Sequence, residues 1–198
     1  MAVLNKCLLL TERDDTQMQM NLPNKLTVSR VIMIPVFVVV LLSGLVPMPY
    51  SRYIAVLIFM AASFTDYLDG HLARKYNLVT NFGKFMDPLA DKLLVSSAMI
   101  SMVSLGDIPA WIVIIIISRE FIITGFRLIA VENGVVIAAS WWGKIKTVSQ
   151  MLMIIVVLSG IGGVAGYSLG RILIYVSAFF TVVSGVDYIV KNINVLKG

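Results

Sequence analysis

The chain has 198 residues, 59% of them hydrophobic and 14% charged, with a formal net charge of +5. Soluble domains carry about a quarter charged residues, so this composition excludes an ordinary soluble domain and requires lipid to cover the surplus apolar surface. It does not signal a nucleic-acid partner either, because the basic residues punctuate apolar runs instead of forming one stripe.

Residues 1–19, MAVLNKCLLLTERDDTQMQ, differ in character from the rest of the chain. They are expected to be a disordered or surface-lying lead, or to reflect an alternative start, since MNLPNKLTVSRV begins afresh at Met20. The LLL at 8–10 is too short for a signal-peptide core. Cys7 is the only cysteine, which leaves no intrachain disulfide and no cysteine metal site. Residues 20–198 are expected to form one all-α polytopic membrane domain. Roughly 20 apolar residues make a membrane-spanning helix, and six stretches approach this: 27–46, 52–70, 86–105, 109–130, 142–164 and 170–190.

The basic residues sit mainly in alternate connections. Lys6, Arg13, Lys25 and Arg30 precede or open the first span. Arg74, Lys75 and Lys84 lie between spans two and three, and Arg127, Lys144 and Lys146 between four and five. Lys191 and Lys197 follow the sixth, whereas the opposite-side loops hold only Arg52 and Arg171. The positive-inside rule then places both termini on the cytoplasmic side of a cell membrane. Trp111, Trp141 and Trp142 fall near predicted span ends, as in an aromatic belt. Gly160, Gly162, Gly163 and Gly166 are expected to form an outer turn.

One segment resists a purely structural account: SFTDYLDGHLARKYNLVTNFGKFMDPLADK, residues 63–92. An aspartate deep in a membrane helix costs roughly 3 kcal/mol, and four fall here. Asp66, Asp69, Gly70 and Ala73 stand at i, i+3, i+4 and i+7, on one helical face at the cytoplasmic end of span two. Gly83, Asp87 and Asp91 recur at four-residue intervals and share a face at the start of span three. A short loop at about 75–81 would set the two helices antiparallel. Four carboxylates so close repel one another unless a cation sits among them. An all-oxygen anionic cluster suits Mg²⁺, Mn²⁺ or Ca²⁺. Two such ions about 4 Å apart form the clamp used for displacement at phosphorus. Gly70, Ala73 and Gly83 would let a ligand approach the backbone, or simply let helices pack. Arg74 is suited to hold a phosphate bidentately. The single histidine, His71, lies one step off this face.

The pattern Asp66-x-x-Asp69-Gly70-x-x-Ala73-Arg74, eight residues, then Gly83-x-x-x-Asp87-x-x-x-Asp91 resembles the full signature of the CDP-alcohol phosphotransferases. The resemblance covers nearly all of the chain after residue 20. It implies that family's six-helix fold and a membrane-embedded transferase that moves the phosphatidyl-type group of a CDP-linked donor onto an alcohol, releasing CMP. It implies Asp66, Asp69 and Asp87 as metal ligands for two Mg²⁺ or Mn²⁺ ions. Asp91 would lie close to the metals and act as general base for the acceptor hydroxyl. Gly70, Ala73, Arg74 and Gly83 would line the CDP site. It also implies a homodimer.

The acceptor is chosen elsewhere. Arg119 and Glu120, in IISREFIITGFR, lie about ten residues into span four, where ionised groups mark function. Lys144 and Lys146, in GKIKT, open span five and would form an anion pocket with Arg119. An acceptor with its own phosphate needs such a pocket; serine or choline does not. NLPNKLTVSRVIMIPVF, SREFIITGFR and GKIKT are similar to bacterial members of the family that pair CDP-diacylglycerol with glycerol 3-phosphate. Asn24 and Thr27, entering span one, are candidates for a hydrogen bond to the donor, or for helix initiation. Arg30 is either a donor contact or a positive-inside anchor. The competing functions are the same transfer to inositol phosphate or serine, and a divalent-cation transporter, which predicts acidic residues at several membrane depths.

Overall fold

A computed structural model describes residues 22–76, 81–132, 134, 135, 137, 140–160 and 163–193. The lead at 1–19 lies outside these residues. The described residues form six helices and no strand: α1 Leu22–Leu42, α2 Tyr50–Lys75, α3 Asn81–Ser104, α4 Ala110–Glu132, α5 Trp141–Ser159 and α6 Gly163–Asn192. Each expected span coincides with one helix, with ends shifted by up to seven residues. The largest shift is at α6, which starts at Gly163. Gly163 and Gly166 therefore belong to a helix. Of the glycines expected in the outer turn, Gly160 closes α5 in the left-handed region at φ +58°, the conformation in which a helix commonly ends and a Cβ is penalised. Gly162 lies outside the described residues.

Three helices are individually long and apolar enough to cross a membrane, over Asn24–Leu42, Trp141–Ser159 and Gly166–Asn192. The helices α2, α3 and α4 carry most of the site's ionisable residues within their own length, including Asp66, Asp87, Asp91, Arg119 and Glu120. That charge is what lowers their apolar character. Their outward faces are nonetheless apolar: Leu57 on α2, Ile100 on α3 and Ile114 on α4 are all exposed. Helices with such apolar outer faces, and with Arg30 and Lys146 buried inside, suit a lipid surround.

The helices pack in sequence-local and crossed pairs. α5 lies along α6, and α1 packs on both α2 and α3. α4 packs on α6 as well as α3. One core cluster runs through the bundle, with Phe37, Phe59, Met99, Met102, Ile112 and Met153 fully buried. The Phe37 and Phe59 rings meet at 6.4 Å in a tilted arrangement, a favourable aromatic geometry. A smaller cluster of Ile123, Phe126 and Tyr188 joins the ends of α4 and α6. The apolar core thus fills one length of the bundle, and the end where α2 finishes and α3 begins is left for polar groups.

Candidate active site

The α2–α3 hairpin carries both aspartate-bearing segments. α2 ends at Lys75 and α3 starts at Asn81, so the two segments lie at one end of the bundle. The backbones of Asp69, Ala73 and Arg74 lie within α2; their side chains lie outside the described residues, as does that of His71. Gly83 is buried and Gly70 half-buried. Asp66, Asp87 and Asp91 are half-buried. Asp87 acts electrostatically on Asp66, and Asp66 on Asp91. Among the described residues, no group of three or more His, Cys, Asp or Glu is gathered closely enough to hold a metal ion. Two of the carboxylates take partners from α1.

Those partners are the residues whose roles sequence left open. Arg30 is completely buried, and its Nη1 lies 2.6 Å from Asp66 Oδ1. The positive-inside anchor reading of Arg30 is thereby corrected: its charge is turned into the bundle, not toward a headgroup. Thr27 Oγ1 donates to Asp87 Oδ1 at 2.7 Å. Asn24 and Thr27 are buried as well. Asn24, Thr27 and Arg30 fall three residues apart, so they share one stripe of α1. That periodicity was the signal available in the sequence; the partners, 36 and 60 residues away, were not.

A second polar centre lies beside the first. A pocket of about 520 Å³ is lined by Asp91, Lys92, Arg119, Glu120, Arg127 and Lys146 among others, with Lys144 at its edge. Five cations face two carboxylates there, an excess of three. Each cation has a structural reason for its place. Ser140 caps α5 by accepting from the Gly143 amide at 3.1 Å, which fixes where Lys144 and Lys146 emerge from the first turns. A helix N-terminus adds its own positive potential. Lys144 is exposed and sits over the Trp141 ring at 5.8 Å. Lys146 is buried and ion-paired with Glu120. Glu120 also takes Arg119 at 3.2 Å, so Glu120 is a structural partner of both cations. Lys92 donates to Thr124 Oγ1, tying α3 to α4. Arg127 Nε donates to Tyr188 Oη at 3.2 Å, and its guanidinium lies over the same ring at 5.5 Å.

Arg119 gains its position from absent side chains. A Cβ at Gly185 would stand 3.2 Å from Arg119 Cγ, tighter than ordinary contact. Gly185, Lys92 and Arg127 shape this pocket, and motif reading did not select them. Glycine spacing on α6 gave no local hint, because the contact is made by another helix.

Asp91 joins the two centres. It interacts electrostatically with Asp66 and Arg30 on one side and with Glu120 and Lys146 on the other. The arrangement can therefore place an anionic group among α4 and α5 cations while a carboxylate on α3 faces the same space.

Known proteins resemble most of this chain. The family model described as CDP-alcohol phosphatidyltransferase matches residues 20–183. A protein of Bacillus subtilis named CDP-diacylglycerol–glycerol-3-phosphate 3-phosphatidyltransferase is 45% identical over 188 residues, covering 89% of this chain and 97% of its own. Proteins of the same name in Haemophilus influenzae and Rickettsia bellii are 41% and 39% identical. These matches cover 87% and 85% of this chain respectively, and 93% of each relative.

Proposed function

The chain belongs to the CDP-alcohol phosphatidyltransferase family, and on that premise we infer that it transfers the phosphatidyl group of CDP-diacylglycerol to glycerol 3-phosphate. The products are phosphatidylglycerophosphate and CMP. The observation that carries the acceptor assignment is that Asp91 lines the same pocket as Arg119, Lys144 and Lys146. A phosphate held by those cations presents its glycerol hydroxyl to a carboxylate.

The reaction follows from that placement. The acceptor hydroxyl oxygen attacks the phosphatidyl phosphorus, and its proton passes to Asp91 as general base. The bond from that phosphorus to the CMP phosphate oxygen breaks, and CMP leaves with the electron pair. Arg119, Lys144 and Lys146 hold the acceptor phosphate, and Glu120 orients two of them. Gly70, Ala73, Arg74 and Gly83 line the CDP side. Asn24 serves the donor as well, and Thr27 acts through Asp87.

The family works with a divalent metal. The chemistry of the donor set suits one: Asp66, Asp69 and Asp87 would supply hard carboxylate oxygens, with Asp91 one turn along α3 from Asp87. We assign the site to two Mg²⁺ or Mn²⁺ ions, which when bound neutralise the donor pyrophosphate and stabilise charge on departing CMP. The Arg30 and Thr27 contacts hold two of these carboxylates in position.

The apolar exterior supports a membrane location, and the basic residues support a topology of six spans with both termini and the site facing the cytoplasm. The donor's tails then remain in lipid while its cytidine is reached from the aqueous side. A homodimer completes the proposal, tested by the mass of the detergent-solubilised particle.

The deciding experiment measures CMP release from CDP-diacylglycerol by purified protein with each acceptor in turn. Glycerol 3-phosphate is expected to support release, and serine is not. Release with serine or inositol phosphate but not glycerol 3-phosphate overturns the acceptor assignment.

A further inference from the structure

A third polar centre lies at the opposite end of the bundle, away from the residues of the proposed active site. It is a cavity of about 220 Å³ between the start of α2, the α3–α4 turn and the α5–α6 turn. Arg52, Asp107, Gly160, Tyr167 and Arg171 are among its walls.

Asp107 is fixed there by the way α3 ends. Its amide donates to the Met102 carbonyl at 2.9 Å, and the Gly106 amide donates to Val103 at 3.0 Å, with Gly106 at φ +76°. This is the glycine-terminated helix end in which two orphan carbonyls are satisfied at once. The Asp107 side chain then receives Arg52 Nη2 on Oδ1 at 2.9 Å. Its other oxygen, Oδ2, is buried and has no hydrogen-bond partner. A buried carboxylate oxygen without a donor is costly. Across the cavity Arg171 is exposed and forms no ion pair among the described residues; its guanidinium rests over Tyr167 at 5.7 Å. The α5 and α6 backbones close in beside it, because Gly170 lies against Val157.

The cavity thus offers an unpaired cation and an unsatisfied acceptor within one lining, and in the topology proposed above it opens at a membrane surface. A simple anion satisfies Arg171 but confronts the Asp107 oxygen. A simple cation does the reverse. We propose that this cavity binds a phospholipid headgroup that combines a phosphodiester with hydroxyl or ammonium donors, the phosphate on Arg171 and a donor on Asp107 Oδ2. The surrounding apolar faces keep the tails in lipid, so the ligand arrives from the bilayer. Nothing lies within 4 Å of where a Cβ would stand at Gly160, which leaves the headgroup space.

The test uses the full chain purified in detergent, with native mass spectrometry in equimolar phosphatidylglycerol and phosphatidylcholine. The choline head carries the same phosphate but no donor. Wild type is expected to retain phosphatidylglycerol at least about fivefold over phosphatidylcholine, the scale of one charge-assisted hydrogen bond. Arg171→Gln, at an exposed position, is expected to weaken both lipids. Asp107→Asn turns an acceptor toward a donor and is expected to abolish the preference. CMP release by Arg171→Gln should stay within about twofold of wild type, and Asp87→Ala should leave the lipid preference intact, which separates this cavity from the transferase site. Equal retention of the two lipids by wild type, or an unchanged preference in both cavity variants, overturns the proposal. Equal competition by soluble glycerophosphoglycerol at the same concentration also overturns it, since the ligand would then not need the bilayer.

Discussion

The guanidinium of Arg30 lies 2.6 Å from the carboxylate of Asp66, and the arginine is wholly enclosed while the aspartate keeps 39% of its side chain exposed. The pair is therefore lopsided. Arg30 has no water to fall back on, whereas Asp66 can still reach a ligand. An anchor that holds one carboxylate oxygen and leaves the group accessible is what a metal-ligating aspartate requires.

Replacing Arg30 with Met is expected to lower thermal stability and activity together. Breaking a fully buried pair from one side costs roughly 3–5 kcal/mol, but Asp66 can rehydrate, so about 1–2 kcal/mol is expected here. CMP release should fall at least about tenfold, the equivalent of 1.4 kcal/mol in the barrier. Thermal unfolding and CMP release on the same preparation check this. Full activity with lowered stability would reduce Arg30 to a packing element.

Thr27→Val keeps the side-chain shape and deletes the hydroxyl that donates to Asp87 at 2.7 Å. Stability should change by about 1 kcal/mol or less. Turnover should fall about tenfold through the orientation of Asp87, and higher Mg²⁺ should restore part of it. A metal titration of CMP release reads this directly. An unchanged half-saturating metal concentration would show that Thr27 does not act through the ligand.

The aspartates should separate by role. Asp66→Ala and Asp87→Ala are expected to abolish turnover and to weaken metal-dependent binding of CDP-diacylglycerol. Asp91→Asn should slow turnover by about 100-fold or more, the usual worth of a general base, and leave donor binding within a fewfold of wild type. Chelation with EDTA should stop the wild-type reaction, with Mg²⁺ or Mn²⁺ restoring it. Donor binding lost equally in all three variants would remove the distinction between ligand and base.

Arg119 and Gly185 should act on one substrate only. Arg119→Ala is expected to raise the KM for glycerol 3-phosphate by about tenfold or more, and that for the donor little. Gly185→Ala places a methyl group 3.2 Å from Arg119 Cγ and should produce a smaller shift in the same direction. Steady-state kinetics with each substrate varied settle the matter. An equal rise in both KM values would place Arg119 outside the acceptor pocket.

Local spacing carried far in this chain. Apolar runs located all six helices, because helix formation in lipid depends on the composition of the segment itself. The four-residue recurrence of Gly83, Asp87 and Asp91 puts them on one face whatever the helix packs against, because helical periodicity is a property of neighbours. Lys144 and Lys146 read as an anion pocket for the same reason, lying at the start of a helix. Glu120 was harder. Adjacent residues on a helix project about 100° apart, yet the Glu120 side chain pairs with Arg119 and with Lys146 of another helix.

By itself, then, the sequence determined the helices, the acidic hairpin face and the class of chemistry that face implies, since all three rest on residues within a few turns of one another. Only the tertiary structure decided that Arg30 and Thr27 secure the aspartates, that Gly185 admits Arg119, and that Asp91 borders both polar centres. Those contacts join residues tens of positions apart, and their formation depends on how whole helices cross, which no local spacing encodes.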